Sequence, residues 1–349
     1  MAVLVVAVLV YTGEAFAAGS GPEWHASPLP VTASVLNAVR CGSPSACLAV
    51  GYDGQGAIAD QWNGAHWTAV SPVNPAPGGN TKLNGLSCAG PRFCMAVGSD
   101  SNSNGTQVCG LAERWNGTSW SLASGTNRHS ACPSGISGAG SLSDVSCTSS
   151  RFCLAVGGPV ARRWNGSSWS AVRVPRVLGF TTVSCRAVNG CAAGGAGNAA
   201  YGLGWWNGRS WAARTIADKG GYDPETEGPV ITGISCTWVK FCIAVGGDGT
   251  RAVAFQWNGR RWIPRSNGAF STTDYYDYPG PVSCAATNAC TTAIVGPLTS
   301  ETLNSYFFNG SRWSLSGTLP GDGANVSGIS CVSARACMAV GDEYAADSF

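Results

Sequence analysis

Ile234-Ser235-Cys236-Thr237-Trp238-Val239-Lys240-Phe241-Cys242-Ile243-Ala244-Val245-Gly246, followed after a polar loop by Trp257-Asn258-Gly259-Arg260-Arg261-Trp262, is one copy of a recurring unit. The unit reads hydrophobic-Ser-Cys-x5-Cys-x-Ala-Val-Gly, then a loop, then Trp-Asn-Gly-x-x-Trp. Its cysteine pairs are Cys41/Cys47, Cys88/Cys94, Cys147/Cys153, Cys185/Cys191, Cys236/Cys242, Cys284/Cys290 and Cys331/Cys337. First cysteines at 41, 88, 147, 185, 236, 284 and 331 lie 38 to 59 residues apart. That period suits a propeller blade and is too long for most solenoids. The second half recurs from Trp62, Trp115, Trp164 and Trp206, leading to Trp67, Trp120, Trp169 and Trp211, and once as Phe308-Asn309-Gly310 before Trp313.

Asn-Gly between aromatic or β-branched runs signals a tight hairpin, expected as a type I′ turn with both residues at positive φ. Each unit then holds four short strands, in the fifth copy Ile231–Cys236, Phe241–Gly246, Ala252–Trp257 and Arg261–Arg265. No helical period appears outside the N-terminal segment. Four antiparallel strands per unit, seven times over, predict an all-β seven-bladed β-propeller. The seventh unit stops at Ala346-Asp347-Ser348-Phe349, which aligns with Ala59-Asp60-Gln61-Trp62. Its missing fourth strand is present at Gly21-Pro22-Glu23-Trp24 and His25–Pro28. The expected ring therefore closes with Ala346–Phe349 as third strand and 21–28 as fourth, leaving no free edge at the seam. Blades are expected near 37–75, 84–125, 143–175, 181–216, 231–266, 281–318, and 327–349 plus 21–28, in a single domain over 19–349.

Residues 1–18 read as a secretory leader: Ala2–Tyr11 is apolar but short for a bilayer span, and Ala15-Phe16-Ala17 is an A-x-A-like cleavage site. No Lys or Arg precedes the apolar run, and an N-terminal membrane anchor is the alternative. Sixteen cysteines agree with an oxidising compartment. The expected location is secreted or at the cell surface, with no membrane span in the mature chain. Only 11% of residues are charged and the net charge is +2, against about 25% charged in an ordinary domain. Such a balance gives no electrostatic footprint for nucleic acid or an anionic membrane. A monomer is expected.

Each Cys-x5-Cys is expected to be a disulfide within a blade, across Cα atoms about 4.5–5.5 Å apart. A zinc site fits poorly, since the spacing is not C-x2-C and none of the three histidines adjoins a pair. Cys109 and Cys132 remain; the loops that hold them should share a face, which predicts a Cys109–Cys132 bond. The recurrent tryptophans are expected between blades rather than as a sugar platform. Asn104, Asn116, Asn165 and Asn309 match a glycosylation acceptor, although three of the four are the repeat's own turn.

Cys242-Ile243-Ala244-Val245-Gly246-Gly247, then Phe255, then Trp262 resembles a kelch repeat, which has an apolar run ending in Gly-Gly, an aromatic on the third strand and a Trp on the fourth. Gly-Gly is complete only at Gly157-Gly158, Gly194-Gly195 and Gly246-Gly247, and the cysteine staple is not a kelch feature. The composite is similar to repeats in secreted proteins of high-GC Gram-positive bacteria. The resemblance implies a fold and little about activity. A galactose-oxidase-like copper site would need converging histidines and tyrosines, whereas His25, His66 and His129 are scattered. An Asp-box sialidase would show Ser-x-Asp-x-Gly-x-x-Trp turns and an arginine triad, whereas the turns here carry Asn-Gly without that Asp.

Departures from the repeat are the places to seek a site. Two acidic, aromatic insertions follow blades four and five: Tyr222, Asp223, Glu225 and Glu227, and then Asp274, Tyr275, Tyr276, Asp277 and Tyr278. With Asp248 nearby they make a surface suited to a carbohydrate, a cationic peptide or a divalent cation. Asp100-Ser101-Asn102-Ser103-Asn104-Gly105 matches the start of a calcium loop with Asp100, Asn102 and Asn104 as ligands, but Leu111 stands where its last acid belongs. Calcium is the one cofactor suggested. The expected function is an extracellular or cell-surface binding protein recognising glycan or protein through the loop-bearing face. The alternatives are a polysaccharide hydrolase or lyase using acidic loop residues, and a structural surface protein without a small ligand. No catalytic residues are assigned.

Overall fold

The computed structural model describes residues 6–8, 24–30, 34–75, 80–101, 108–123, 140–176, 178–197, 199–217, 228–248, 251–266, 278–295, 303–319 and 324–343. All described secondary structure is β-strand. The strands group into seven four-stranded antiparallel blades, with blades four and five joined by the single bridge Ala196↔Val230. In blade five the strands are Val230–Trp238, Phe241–Gly247, Ala252–Trp257 and Trp262–Pro264, within a few residues of the sequence expectation. Inner strands of successive blades touch all the way round, blade seven against blade one included.

Apolar alternation explains how the blades cohere. Among the described residues, the core is seven clusters, one per junction. One joins Leu48, Val50 and Ala59 of blade one to Leu83, Leu111 and Trp115 of blade two. The closing cluster joins Met338 and Val340 of blade seven to Trp62 and Trp67 of blade one. Paired tryptophans sit here as tilted rings about 5.5 Å apart, as at Trp62–Trp67 and Trp115–Trp120. The recurrent aromatics therefore bridge blades and are not a sugar platform.

All seven Cys-x5-Cys pairs are disulfides between directly opposite residues of a blade's first two strands. The Cα atoms are 4.0 Å apart in Cys41–Cys47, Cys147–Cys153, Cys185–Cys191 and Cys331–Cys337. They are 3.9 Å apart in Cys88–Cys94, Cys236–Cys242 and Cys284–Cys290. Every pair is thus closer than the expected 4.5–5.5 Å of an unlinked ladder. The physical reason is the bond itself, which draws an opposed pair together where the first strand bulges just after its cysteine. The second cysteines, Cys47, Cys94, Cys153, Cys191, Cys242, Cys290 and Cys337, are buried in the core. They are structural cross-links within the blades and not part of a ligand surface. Each bond closes a short loop, a constraint of roughly 2–3 kcal/mol on the unfolded chain. Cys109 is also disulfide-bonded; Cys132 lies outside the described residues.

The Asn-Gly turns differ from expectation. Trp62 pairs with Trp67, so the loop holds four residues. Gly64 lies at φ +98°, but its asparagine does not share that region. Asn63 Oδ1 instead accepts from the Ala65 and His66 amides, both at 3.0 Å. The side chain imitates a backbone turn, so only the glycine needs the left-handed region. Asn116, Asn165 and Asn309 accept in the same way.

Closure also differs in one strand. Blade seven runs Ala324–Ser333, Ala336–Glu343, Val6–Val8 and His25–Ser27. Val6–Val8 pairs with both neighbours. The fourth strand falls inside the expected 21–28. The third place, expected for Ala346–Phe349, is held by Val6–Val8, while 344–349 lie outside the described residues.

Candidate functional site

In an up-and-down blade, the connections between second and third strands leave from the same face as the connections to the next blade. That is the loop face here. The staple turns and Asn-Gly turns occupy the opposite one, the turn face.

The axis is built by a bulge repeated in the inner strands. In blade one, Leu36 pairs with Gly51 and Ala38 with Val50, which leaves Asn37 out of the ladder. Asn84, Thr181, Thr232 and Ser327 are skipped in the same way. A skipped residue is free to turn toward the axis. The bulge also explains the glycine of Ala-Val-Gly: a Cβ on Gly51 would collide with the Val35 carbonyl, and one on Gly98 with Lys82's. Blade six has Ile294 at this position and is skipped by two residues, Gly280 and Pro281.

Most of these bulged side chains reach into the next blade. Asn37 Nδ2 donates to Leu83 O at 2.9 Å, Asn84 Nδ2 to Leu142 O at 2.9 Å, and Thr181 Oγ1 to Ile231 O at 2.9 Å. Thr232 Oγ1 donates to Pro279 O. They surround a polar axial cavity of about 120 Å³, also lined by Arg40 and Asp144. Asp144 Oδ1 accepts from its neighbour Val145 N at 2.8 Å. Its Oδ2 accepts from Val183 N at 2.8 Å and Thr182 Oγ1 at 3.2 Å. Burial raises its pKa, opposed by the Arg40 charge and by those donors. With three donors on one carboxylate, Asp144 clamps blade three to blade four and is no free base. The cavity has the size and polarity for a few water molecules.

At the loop face, Asp248 is buried. Its Oδ2 accepts from Arg251 Nη2 at 3.0 Å and Nε at 3.2 Å, and from Tyr201 Oη at 3.4 Å. That carboxylate ties the loop residue Arg251 to Tyr201 of blade four. Lys82 Nζ lies 4.1 Å over the Tyr52 ring, joining blades two and one. Of the expected acidic and aromatic site, Tyr222, Asp223, Glu225, Glu227, Asp274, Tyr275, Tyr276 and Asp277 lie outside the described residues. Tyr278 starts the inner strand of blade six. Of the calcium candidates, Asp100 is buried within a strand and accepts from Thr81 Oγ1 at 2.9 Å; Asn102 and Asn104 lie outside the described residues. Among the described residues, no cluster of three or more His, Cys, Asp or Glu could hold a metal.

Two features escape a reading of the repeat alone. The residue four before each first cysteine runs Asn37, Asn84, Ser143, Thr181, Thr232, Gly280, Ser327, always small or polar, and that was the available signal for the axis. The other is buried charge on the third strands. Asp60, Glu113 and Arg162 each sit two residues before a tryptophan. Burial raises Asp60 to about 6. It raises Glu113 to about 8, although Glu113 Oε2 accepts from Val73 N at 2.8 Å.

No protein-family model and no curated protein matches the chain. Solved structures with a similar fold include YCF48 bound to D1 peptide, at 13% identity, covering 90% of this chain and 91% of that one with a TM-score of 0.58. YCF48 from Cyanidioschyzon merolae is similar at 16% identity, covering 90% and 95% with a TM-score of 0.56. The WD40 repeats of RRP9 are similar at 11% identity, covering 97% and 99% with a TM-score of 0.57. At such identities the likeness establishes the propeller fold.

Proposed function

We propose that the chain is an extracellular or cell-surface binding protein that recognises glycan or protein through its loop face. The observation that carries this reading is the division of labour between repeat and non-repeat residues. Recurrent tryptophans, serines, cysteines and glycines are engaged in holding blades together. The segments that break the repeat, 218–227 and 267–277, follow blades four and five in sequence. Their Tyr, Asp and Glu content offers rings for stacking and carboxylates for hydroxyl or cationic groups. YCF48, of similar fold, is bound to a peptide, which supports a protein or peptide as one ligand class. Many disulfides favour an oxidising compartment.

The test is a glycan array and a partner pull-down with the purified protein. A ligand should be found, and its affinity should fall at least about tenfold in a Tyr275→Ala/Tyr276→Ala variant, as the loss of one or two stacked rings implies. Polysaccharide turnover abolished by Asp223→Asn or Asp274→Asn would overturn the binding role in favour of a hydrolase or lyase. Undiminished affinity in the double variant would overturn the assignment to this face.

A further inference from the structure

The net charge of +2 hides a sorting of charge by face. Five cations stand in the staple turns: Arg92, Arg151, Arg186, Lys240 and Arg335. Four more stand in the Asn-Gly turns: Arg209, Arg260, Arg261 and Arg312. All nine are exposed, and no Asp or Glu occurs in any of these described turns. Of the described acids, Asp53 and Asp248 belong to loops at the other face, where the cation Arg251 also stands. A chain neutral overall can therefore carry a strongly cationic side.

The same face carries an apolar departure from the repeat. Two residues after each first cysteine stand Ser43, Gly90, Ser149, Ala187, Ala286 and Ser333, all small, but blade five has Trp238. Trp238 is 63% exposed, and Val188 in the adjoining turn of blade four is 54% exposed. The two turns touch, since Arg186 Nε donates to Thr237 O at 3.1 Å. Nothing in blade packing calls for an indole there. Arg186, Arg209, Lys240, Arg260 and Arg261 belong to these same two blades, so five of these nine cations share the two blades that carry the exposed ring and valine.

An indole and a valine at the tips of short turns, among cations, match the headgroup layer of a lipid surface. Tryptophan settles at that depth, and Lys and Arg are drawn to anionic lipid. A soluble polyanion would be better served by a channel than by projecting tips. We propose that the turn face docks on an anionic phospholipid bilayer through Trp238 and the cations of blades four and five. Docked this way, the loop face points away from the membrane. The proposal stands independently of what that loop face binds.

The test is co-sedimentation with vesicles of phosphatidylglycerol and phosphatidylcholine, against vesicles of phosphatidylcholine alone. The protein should pellet with the first and not the second, and detach at about 0.5 M NaCl as its charges are screened. At about fivefold per cation, Arg209→Glu/Arg260→Glu/Arg261→Glu should weaken binding by at least about 100-fold. Trp238→Ala should weaken it roughly tenfold. Both variants should keep the parent's thermal unfolding midpoint, because all four positions are exposed. The variants share residues 1–18 with the parent, so the comparison excludes that apolar segment as the cause. Equal pelleting with both vesicle types, or unchanged affinity in the triple variant, would overturn the proposal. So would binding of dextran sulfate without vesicle binding, which would assign the face to a soluble polyanion.

Discussion

Glu113 is fully buried on the third strand of blade two, flanked at spacings of two by Leu111 and Trp115. Its burial agrees with strand parity, since residues in step with the tryptophan face the preceding blade, but the repeat alone did not single it out. What the local pattern could not supply was the receiving backbone amide, Val73 N, which comes from that blade's connecting segment. The burial has a pH consequence. Glu113 titrates at about 8 in the fold against an ordinary 4.5, and Asp60 at about 6 against 3.8. A raised folded pKa means that the native state holds a proton which the unfolded chain has released. The associated stability is complete below the ordinary values and disappears as pH rises through about 6 and then about 8. The thermal midpoint should therefore fall between about pH 5 and pH 9, and Glu113→Gln, permanently neutral, should remove most of the upper part of that slope. An unchanged slope in the variant would show that Glu113 ionises freely.

At the scale of strands, the serine of Ser-Cys acquires a role that no single copy reveals. Cys236 N donates to Ser184 Oγ at 3.0 Å, and Cys284 N to Ser235 Oγ at 3.0 Å. Equivalent bonds join Cys147 to Ser87, Cys185 to Ser146, Cys331 to Ser283 and Cys41 to Ser330. The serine of one blade thus receives the cysteine amide of the next, beside the staple. Blade one carries Arg40 at this position, and there the side chain lines the axial cavity instead. The staples were readable because both cysteines lie in one hairpin. The serine girdle was not, because each bond joins two different blades, 39 to 60 residues apart within the chain and 289 apart across the seam. Ser184→Ala leaves the Cys236 amide without its acceptor and should cost about 1–3 kcal/mol in a urea titration. A change below about 0.5 kcal/mol would mean that the amide finds water and the girdle is incidental.

For the whole molecule, the propeller architecture followed from spacing alone, since a repeat that packs only on its neighbours must either close or expose an edge. The seam was harder. Val6-Ala7-Val8 and Ala346-Asp347-Ser348-Phe349 both suit the third place of blade seven, one by β-propensity and one by its match to the repeat. Sequence pattern ranks the second, whereas the ladder beside Ala336–Glu343 contains the first. The ligand surface was legible only as a departure from the repeat, because loop composition does not fix loop geometry. Charge sorting between the faces was hidden by a net charge near zero.

Closure itself rests on Trp24, which is buried with Leu303 and Leu319 of blade six and Val326 and Ile329 of blade seven. Its indole Nε1 donates to Ser305 Oγ at 3.0 Å across 281 residues of chain. The most direct test is the equilibrium unfolding of Trp24→Ala beside Trp67→Ala, its counterpart in blade one. A closed ring predicts a similar loss for both, about 3–5 kcal/mol each. A Trp24→Ala protein within about 0.5 kcal/mol of the parent, while Trp67→Ala is strongly destabilised, would contradict closure and leave an open array of blades.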